Sequence, residues 1–171
     1  MDIFLIDASK YNEIDFSLLE NFGYKVFTGK TKQYVHCLTY YLLDSILFNR
    51  YNIKNRKIIF KNKKPMLCNN KKNFSISHSH NYIAIAVSDY KCGIDIEKII
   101  NRDYIKISER MGFSSDTLIE FYQNWTLFEA KYKLASEIKK HFSNQIDGFM
   151  FSAVSENKDE VFNLIENYTL S

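Results

Sequence analysis

The short apolar run Ile3-Phe4-Leu5-Ile6, closed by Asp2 and Asp7, predicts a buried strand at the start of the chain. Between Thr31 and Asn49 the apolar side chains Tyr34, Val35, Leu38, Tyr41, Leu42, Ile46 and Leu47 recur at helical spacing and predict an amphipathic helix. Short strands follow over Lys57–Phe60, Phe74–Ile76 and Tyr82–Val87, and a further strand over Cys92–Glu97. From Ser115 to Phe142 the residues Phe121, Trp125, Phe128, Tyr132, Ala135, Ile138 and Phe142 step by three and four, which predicts one long helix with Phe121, Phe128, Tyr132 and Ala135 as its core stripe. Closing strands fall at Phe149–Val154 and Val161–Ile165. Strand, helix and strands thus occur twice in the same order, and an α+β chain of two similar lobes, 1–88 and 89–171, is expected from that repetition.

Composition narrows the class. The 171 residues are 46% hydrophobic and 25% charged, with one proline and five glycines, which excludes disordered and Pro/Gly-rich chains. Charged or amide side chains interrupt every apolar run well before the roughly 20 residues a membrane span needs. The opening apolar run is too short for a signal peptide, so a cytoplasmic protein without a membrane partner is expected. Cys37, Cys68 and Cys92 are odd in number and widely spaced, which argues for free thiols over a disulfide frame or a zinc site.

Charge is unevenly divided. Residues 1–88 hold 13 Lys and Arg against six Asp and Glu, a balance of +7, whereas residues 89–171 hold 10 against 14, a balance of −4. Lys54–Lys72 alone contains eight cations and no acid. A polyanionic ligand on the basic half, and a cation near the acidic half, would suit this division. Nucleic-acid binding through Lys54–Lys72, with Tyr51 and Phe60 interleaved, is the competing reading, but the acidic second half would repel a phosphate backbone.

Three segments carry chemistry. In Gly93-Ile94-Asp95-Ile96-Glu97 strand alternation turns Ile94 and Ile96 one way and both carboxylates the other, about 6.7 Å apart along the backbone. Side-by-side carboxylates repel unless a cation lies between them, and a hard divalent ion such as Mg²⁺ answers that need. In Trp125-Thr126-Leu127-Phe128-Glu129-Ala130-Lys131-Tyr132-Lys133 the positions Trp125, Glu129 and Lys133 stack on one helical stripe. In Phe74-Ser75-Ile76-Ser77-His78-Ser79 the hydroxyls and the imidazole can meet phosphate oxygens, while a Ser–His catalytic pair is excluded because sequence neighbours on a strand face opposite ways.

Taken in order, Lys64-Pro65, F-S-I-S-H-S at 74–79, G-I-D-I-E at 93–97 with Arg102 after it, and W-T-L-F-E-A-K-Y-K at 125–133 resemble the 4′-phosphopantetheinyl transferase superfamily. The Glu after Asp95-Ile96, and the repeated element order, resemble its larger two-lobed, Sfp-type class, with the lobes related by a pseudo-twofold. The resemblance implies that Asp95, Glu97 and Glu129 hold Mg²⁺ and that coenzyme A lies between the lobes. It also implies that Ser77 and His78 contact the coenzyme A phosphates, and that Lys64, with Lys30 and Lys32, meets the adenosine 3′-phosphate region. The reaction implied moves the phosphopantetheine arm of coenzyme A onto a serine of an apo acyl or peptidyl carrier protein, as a holo-[acyl-carrier-protein] synthase does in fatty acid biosynthesis, with release of adenosine 3′,5′-bisphosphate. Lys133 would steady the transferred phosphoryl group and Glu129 would be the general base, a metal-held hydroxide being the alternative. An internally duplicated chain is expected to act as a monomer. Phe128 stands where the family usually has lysine before the helix glutamate, and Thr39, Tyr40 and Tyr41 stand near the place of a family arginine. These departures keep open a catalytically weak or silent relative that binds coenzyme A or a carrier protein.

Overall fold

The computed structural model describes residues 1–11, 14–16, 31–62, 64–69, 71–166 and 168–169, with side chains in the first helix described from Tyr34 onward. Its strands are β1 (Asp2–Asp7), β2 (Ile58–Lys61), β3 (Lys64–Leu67), β4 (Asn73–Ser79), β5 (Tyr82–Ser88), β6 (Cys92–Lys98), β7 (Lys140–Ile146), β8 (Phe149–Ser155) and β9 (Asn163–Glu166). Its helices are α1 (Thr31–Asn49), α2 (Tyr104–Met111) and α3 (Leu118–Leu134). The architecture is mixed α+β. A four-stranded sheet runs β4-β5-β1-β9, a three-stranded antiparallel sheet runs β6-β8-β7, and β2 pairs with β3 as a separate hairpin. The strand from the second half of the chain, β9, lies parallel to β1 inside the first sheet.

Side-chain alternation explains the stacking. On one face of the first sheet Phe4, Ile6, Ile83, Ile85 and Val87 pack against Leu38, Leu42, Leu43, Ile46 and Leu47 of α1. On its other face Ile3, Leu5, Ala84 and Ala86 meet Ile94, Ile96, Phe151 and Ala153 of the second sheet. A strand apolar on both faces must be covered on both, so β1 and β5 lie at the centre of the layers. The outer face of the second sheet carries α3, through Val154 against Ala130 and Leu134 and Met150 against Phe121 and Tyr122. Gly93 sets how closely α3 approaches. A Cβ there would lie 2.0 Å from the Ala130 carbonyl oxygen, so only glycine admits the helix at this depth.

The long helix predicted over 115–142 is shorter at its carboxyl end. Thr117 caps it by accepting the Glu120 N–H, and it stops at Ala135, whose φ of +55° is left-handed. Ile138 precedes β7 and Phe142 lies within it, where the Phe142 ring stacks on Phe162 at 5.8 Å; their helical spacing was a coincidence of strand burial. The buried stripe is Phe121, Tyr122, Thr126, Ala130 and Leu134. Phe128 (43% exposed), Tyr132 (79% exposed) and Ala135 therefore do not form the core stripe that periodicity predicted. Close approach at Gly93 selects the small Ala130 for the interface and turns the bulky rings outward. Helix α2 and strand β3 were not anticipated. Among the described residues no helix is long and apolar enough to cross a membrane.

Candidate functional site

The site forms where β4, at the edge of the first sheet, runs beside β6, at the edge of the second. Alternate serines of β4 join the two. Ser75 Oγ accepts the Ile94 N–H (3.1 Å), Ser77 Oγ donates to Asp95 Oδ1 (2.7 Å), and Ser79 Oγ donates to Glu97 Oε2 (2.9 Å) while accepting the Lys98 N–H (3.2 Å). These hydroxyls do across the sheet boundary what a backbone ladder does within a sheet. The motif's odd positions thus face β6, and its even positions Phe74 and Ile76 pack toward α1.

Asp95 is the centre of the arrangement. Only 4% exposed, it receives at Oδ1 both the Ser77 hydroxyl and the Lys133 ammonium, the latter at 2.7 Å. Lys133 Nζ also donates to Ser77 Oγ (2.9 Å), closing a three-membered polar cluster. The other carboxylate oxygen, Asp95 Oδ2, is buried without a hydrogen-bond partner. Such an atom costs on the order of 1–3 kcal/mol unless something meets it. Glu97 is half-buried beside it, and burial together with the Asp95 charge raises its pKa above the usual carboxylate range, against the pull of the Ser79 bond, Arg102 and Lys133.

The remaining residues of the sequence reading fall around this centre. Glu129 is half-buried on α3, one turn before Lys133, and makes no hydrogen bond or ion pair with another described residue. His78 leaves β4 on the face opposite Ser77, its ring 6.3 Å from that of His36 on α1. Burial, then His36 and Lys133, lower its pKa below the ordinary histidine value, with Asp95 opposing. Lys64, on the hairpin, donates to the main-chain carbonyl of Lys133 at 2.5 Å and so holds the last turn of α3. Burial lowers its pKa. Lys30 lies outside the described residues, as does the side chain of Lys32. Asp95, Ser77 and Lys133 are thus brought into direct contact, with Glu97 adjoining. Among the described residues no three His, Cys, Asp or Glu side chains are gathered closely enough to hold a metal together. In this conformation Lys133 meets the inner acid in place of a third carboxylate.

The parts played by Ser75, Ser79 and Arg102 were not assigned from the sequence. Ser75 and Ser79 register the strands, and the alternation S-x-S-x-S on one strand face was the available signal. Arg102 packs its guanidinium 5.3 Å from the Tyr122 ring centroid, with Nε buried and unpartnered, and its charge bears on Glu97. The cysteines are free, as expected, and burial pushes the Cys92 thiol up to about 12, which leaves it inert.

A mixed α+β frame thus brings a buried Asp, a flanking Glu and a helix Lys together at the junction of β4, β6 and α3. No family model matches the chain. It is 31% identical over 111 residues to the 4′-phosphopantetheinyl transferase gsp of Aneurinibacillus migulanus, a match covering 54% of this chain and 46% of that protein. The resemblance to the 4′-phosphopantetheinyl transferase superfamily is therefore one of sequence relationship as well as of motif order. The match spans about half the length of that relative.

Proposed function

We propose that the protein transfers the 4′-phosphopantetheine arm of coenzyme A to a serine hydroxyl of an apo acyl or peptidyl carrier protein. The observation that carries this reading is the Ser77–Asp95–Lys133 cluster with its unpartnered Asp95 Oδ2, formed from three separate motifs of the resemblance. The relative's printed name supports the reaction class.

The donor set suits Mg²⁺. A buried carboxylate oxygen without a partner, next to a second carboxylate that burial and its neighbour make reluctant to ionise, is a place where a hard cation would be welcome. Asp95 and Glu97 would hold it, with Glu129 of α3 having to close on them as a third ligand because the three are not gathered in this structure, and when bound it would neutralise charge at the pyrophosphate. The chain's own side chains do the rest. Ser77 gives its one hydroxyl proton to Asp95 and so orients that acid, His78 offers a donor to phosphate oxygens, Lys133 meets the phosphoryl group with its ammonium, and Lys64 keeps the end of α3 in place. Glu129, half-buried and without a partner among the described residues, accepts the proton of the attacking serine. The serine O–P bond forms as the bond from phosphorus to adenosine 3′,5′-bisphosphate breaks, so positioning and charge supply most of the rate. Two lobes with coenzyme A between them, action as a monomer and a cytoplasmic setting complete the reading.

The test is intact-mass measurement of several apo carrier proteins after incubation with the protein, coenzyme A and Mg²⁺. A gain of one phosphopantetheine on at least one carrier is expected. No gain on any carrier, with coenzyme A still bound in calorimetry, would replace this reading with that of a silent relative, consistent with Phe128 in the place of a lysine.

A further inference from the structure

Lys133 is placed where a phosphate-binding lysine has no need to be. Its ammonium does not project into solvent. It lies 2.7 Å from Asp95 Oδ1 and 2.9 Å from Ser77 Oγ, on an acid that is 4% exposed. The pair is lopsided, because the Lys133 side chain keeps 28% of its surface exposed while the Asp95 side chain keeps 5%. The aspartate cannot leave, and the lysine can. Oδ2, on the same carboxylate, remains without any partner. One ammonium and one hydroxyl thus answer one half of a carboxylate whose other half is unanswered, and a point charge on a flexible four-carbon stem is the kind of group that can be exchanged.

We propose that Lys133 is a resident counter-ion of Asp95, which a divalent cation must displace on entering the site. The inference rests on the metal reading above and adds to it a competition between two cations for one carboxylate. Lys133 keeps Asp95 paired and the β4–β6–α3 junction closed when no metal is present. Entry of the metal releases the ammonium, which is then free for an anionic ligand, so that metal and anion should bind in that order. A permanent guanidinium fork would be held more firmly at this place, and an uncharged side chain would leave a buried carboxylate unpaired.

The test is direct titration of the protein with Mn²⁺ followed by electron paramagnetic resonance, and with Mg²⁺ followed by calorimetry. Lys133→Gln, which keeps a donor but removes the charge, should bind either ion about tenfold more tightly or better, equivalent to about 1.4 kcal/mol. In the wild-type protein, nitrogen-15 NMR of the lysine ammonium groups should show the Lys133 signal moving on Mg²⁺ addition. The signal of Lys139, paired with Glu137 on the surface, should stay in place. This second measurement stands even where Lys133→Gln proves too unstable to purify. Equal affinity in both proteins, or a Lys133 signal indifferent to Mg²⁺ that binds, overturns the counter-ion proposal and leaves the metal reading intact. Failure of either ion to bind either protein overturns both.

Discussion

Two buried carboxylates in this molecule are held by serines from facing strands, and they are satisfied to different degrees. Glu160, 6% exposed, receives the Met1 amino group at 2.5 Å, Ser88 Oγ at 2.9 Å and Ser155 Oγ at 2.8 Å. Burial works to raise its pKa, but these donors outweigh it and hold the group below the ordinary range. Asp95, comparably buried, has two donors on one oxygen and none on the other, and its neighbour Glu97 is pushed upward. A carboxylate that only ties strands together is furnished with donors on both oxygens. One left short of partners on one oxygen has room to gain from a further ligand. That contrast, drawn without reference to any relative, is what supports Asp95 as the acid of the proposed site.

The comparison can be broken most forcefully at Asp95. Asp95→Asn should lower phosphopantetheine transfer by a factor on the order of 100 to 1,000, read from initial rates of carrier modification. Urea unfolding should change by no more than about 1 kcal/mol, because Lys133 can turn to solvent. A large loss of stability with unchanged rate would make Asp95 a second Glu160.

Glu160→Gln should do the reverse. It leaves the Met1 ammonium buried without its charge partner and should destabilise the fold by about 3–5 kcal/mol in urea, with the rate per folded molecule retained.

Acid titration sharpens the same contrast. The folded pKa of Glu160 lies below its unfolded value of about 4.3, so its contribution to stability is complete above that pH and is lost as pH falls through the folded value. Asp2 behaves alike. Burial opposes its ionisation, and bonds from Arg50, Tyr51 and Asn163 overcome it. Glu97 has the opposite sign. Its folded pKa is raised, so stability is lost as pH rises from the unfolded value to the folded one. Urea midpoints between pH 3 and 7 should therefore fall on the acid side, and less steeply in Glu160→Gln than in wild type. The smallest effect is expected at Ser79→Ala, about 1 kcal/mol of stability from the lost Glu97 and Lys98 contacts, with a severalfold loss in rate.

The strands β1, β4, β5, β6, β8 and β9, and helix α1, were legible because their apolar residues alternate or recur without interruption. Helix α2 was written as well, in Asp103 as its amino cap and Gly112 as its left-handed stop, but at eight residues it is too short for its periodicity to stand out. The end of α3 misled because Ile138 and Phe142 continue a helical spacing that strand burial produces equally well. At the site, the residue types at Ser77, Asp95, Glu97, Glu129 and Lys133 were readable, whereas the contact between Lys133 and Asp95 was not.

The sequence by itself determined which segments are apolar, which side chains can bind anions or cations, and which strand positions share a face, since these follow from local spacing. Only the tertiary structure decided that β4 lies beside β6, that Gly93 draws α3 down onto the sheet, and that Lys133 rather than a third acid meets Asp95. Those contacts join residues 18 to 38 positions apart, and their geometry depends on how layers stack, which no local pattern encodes.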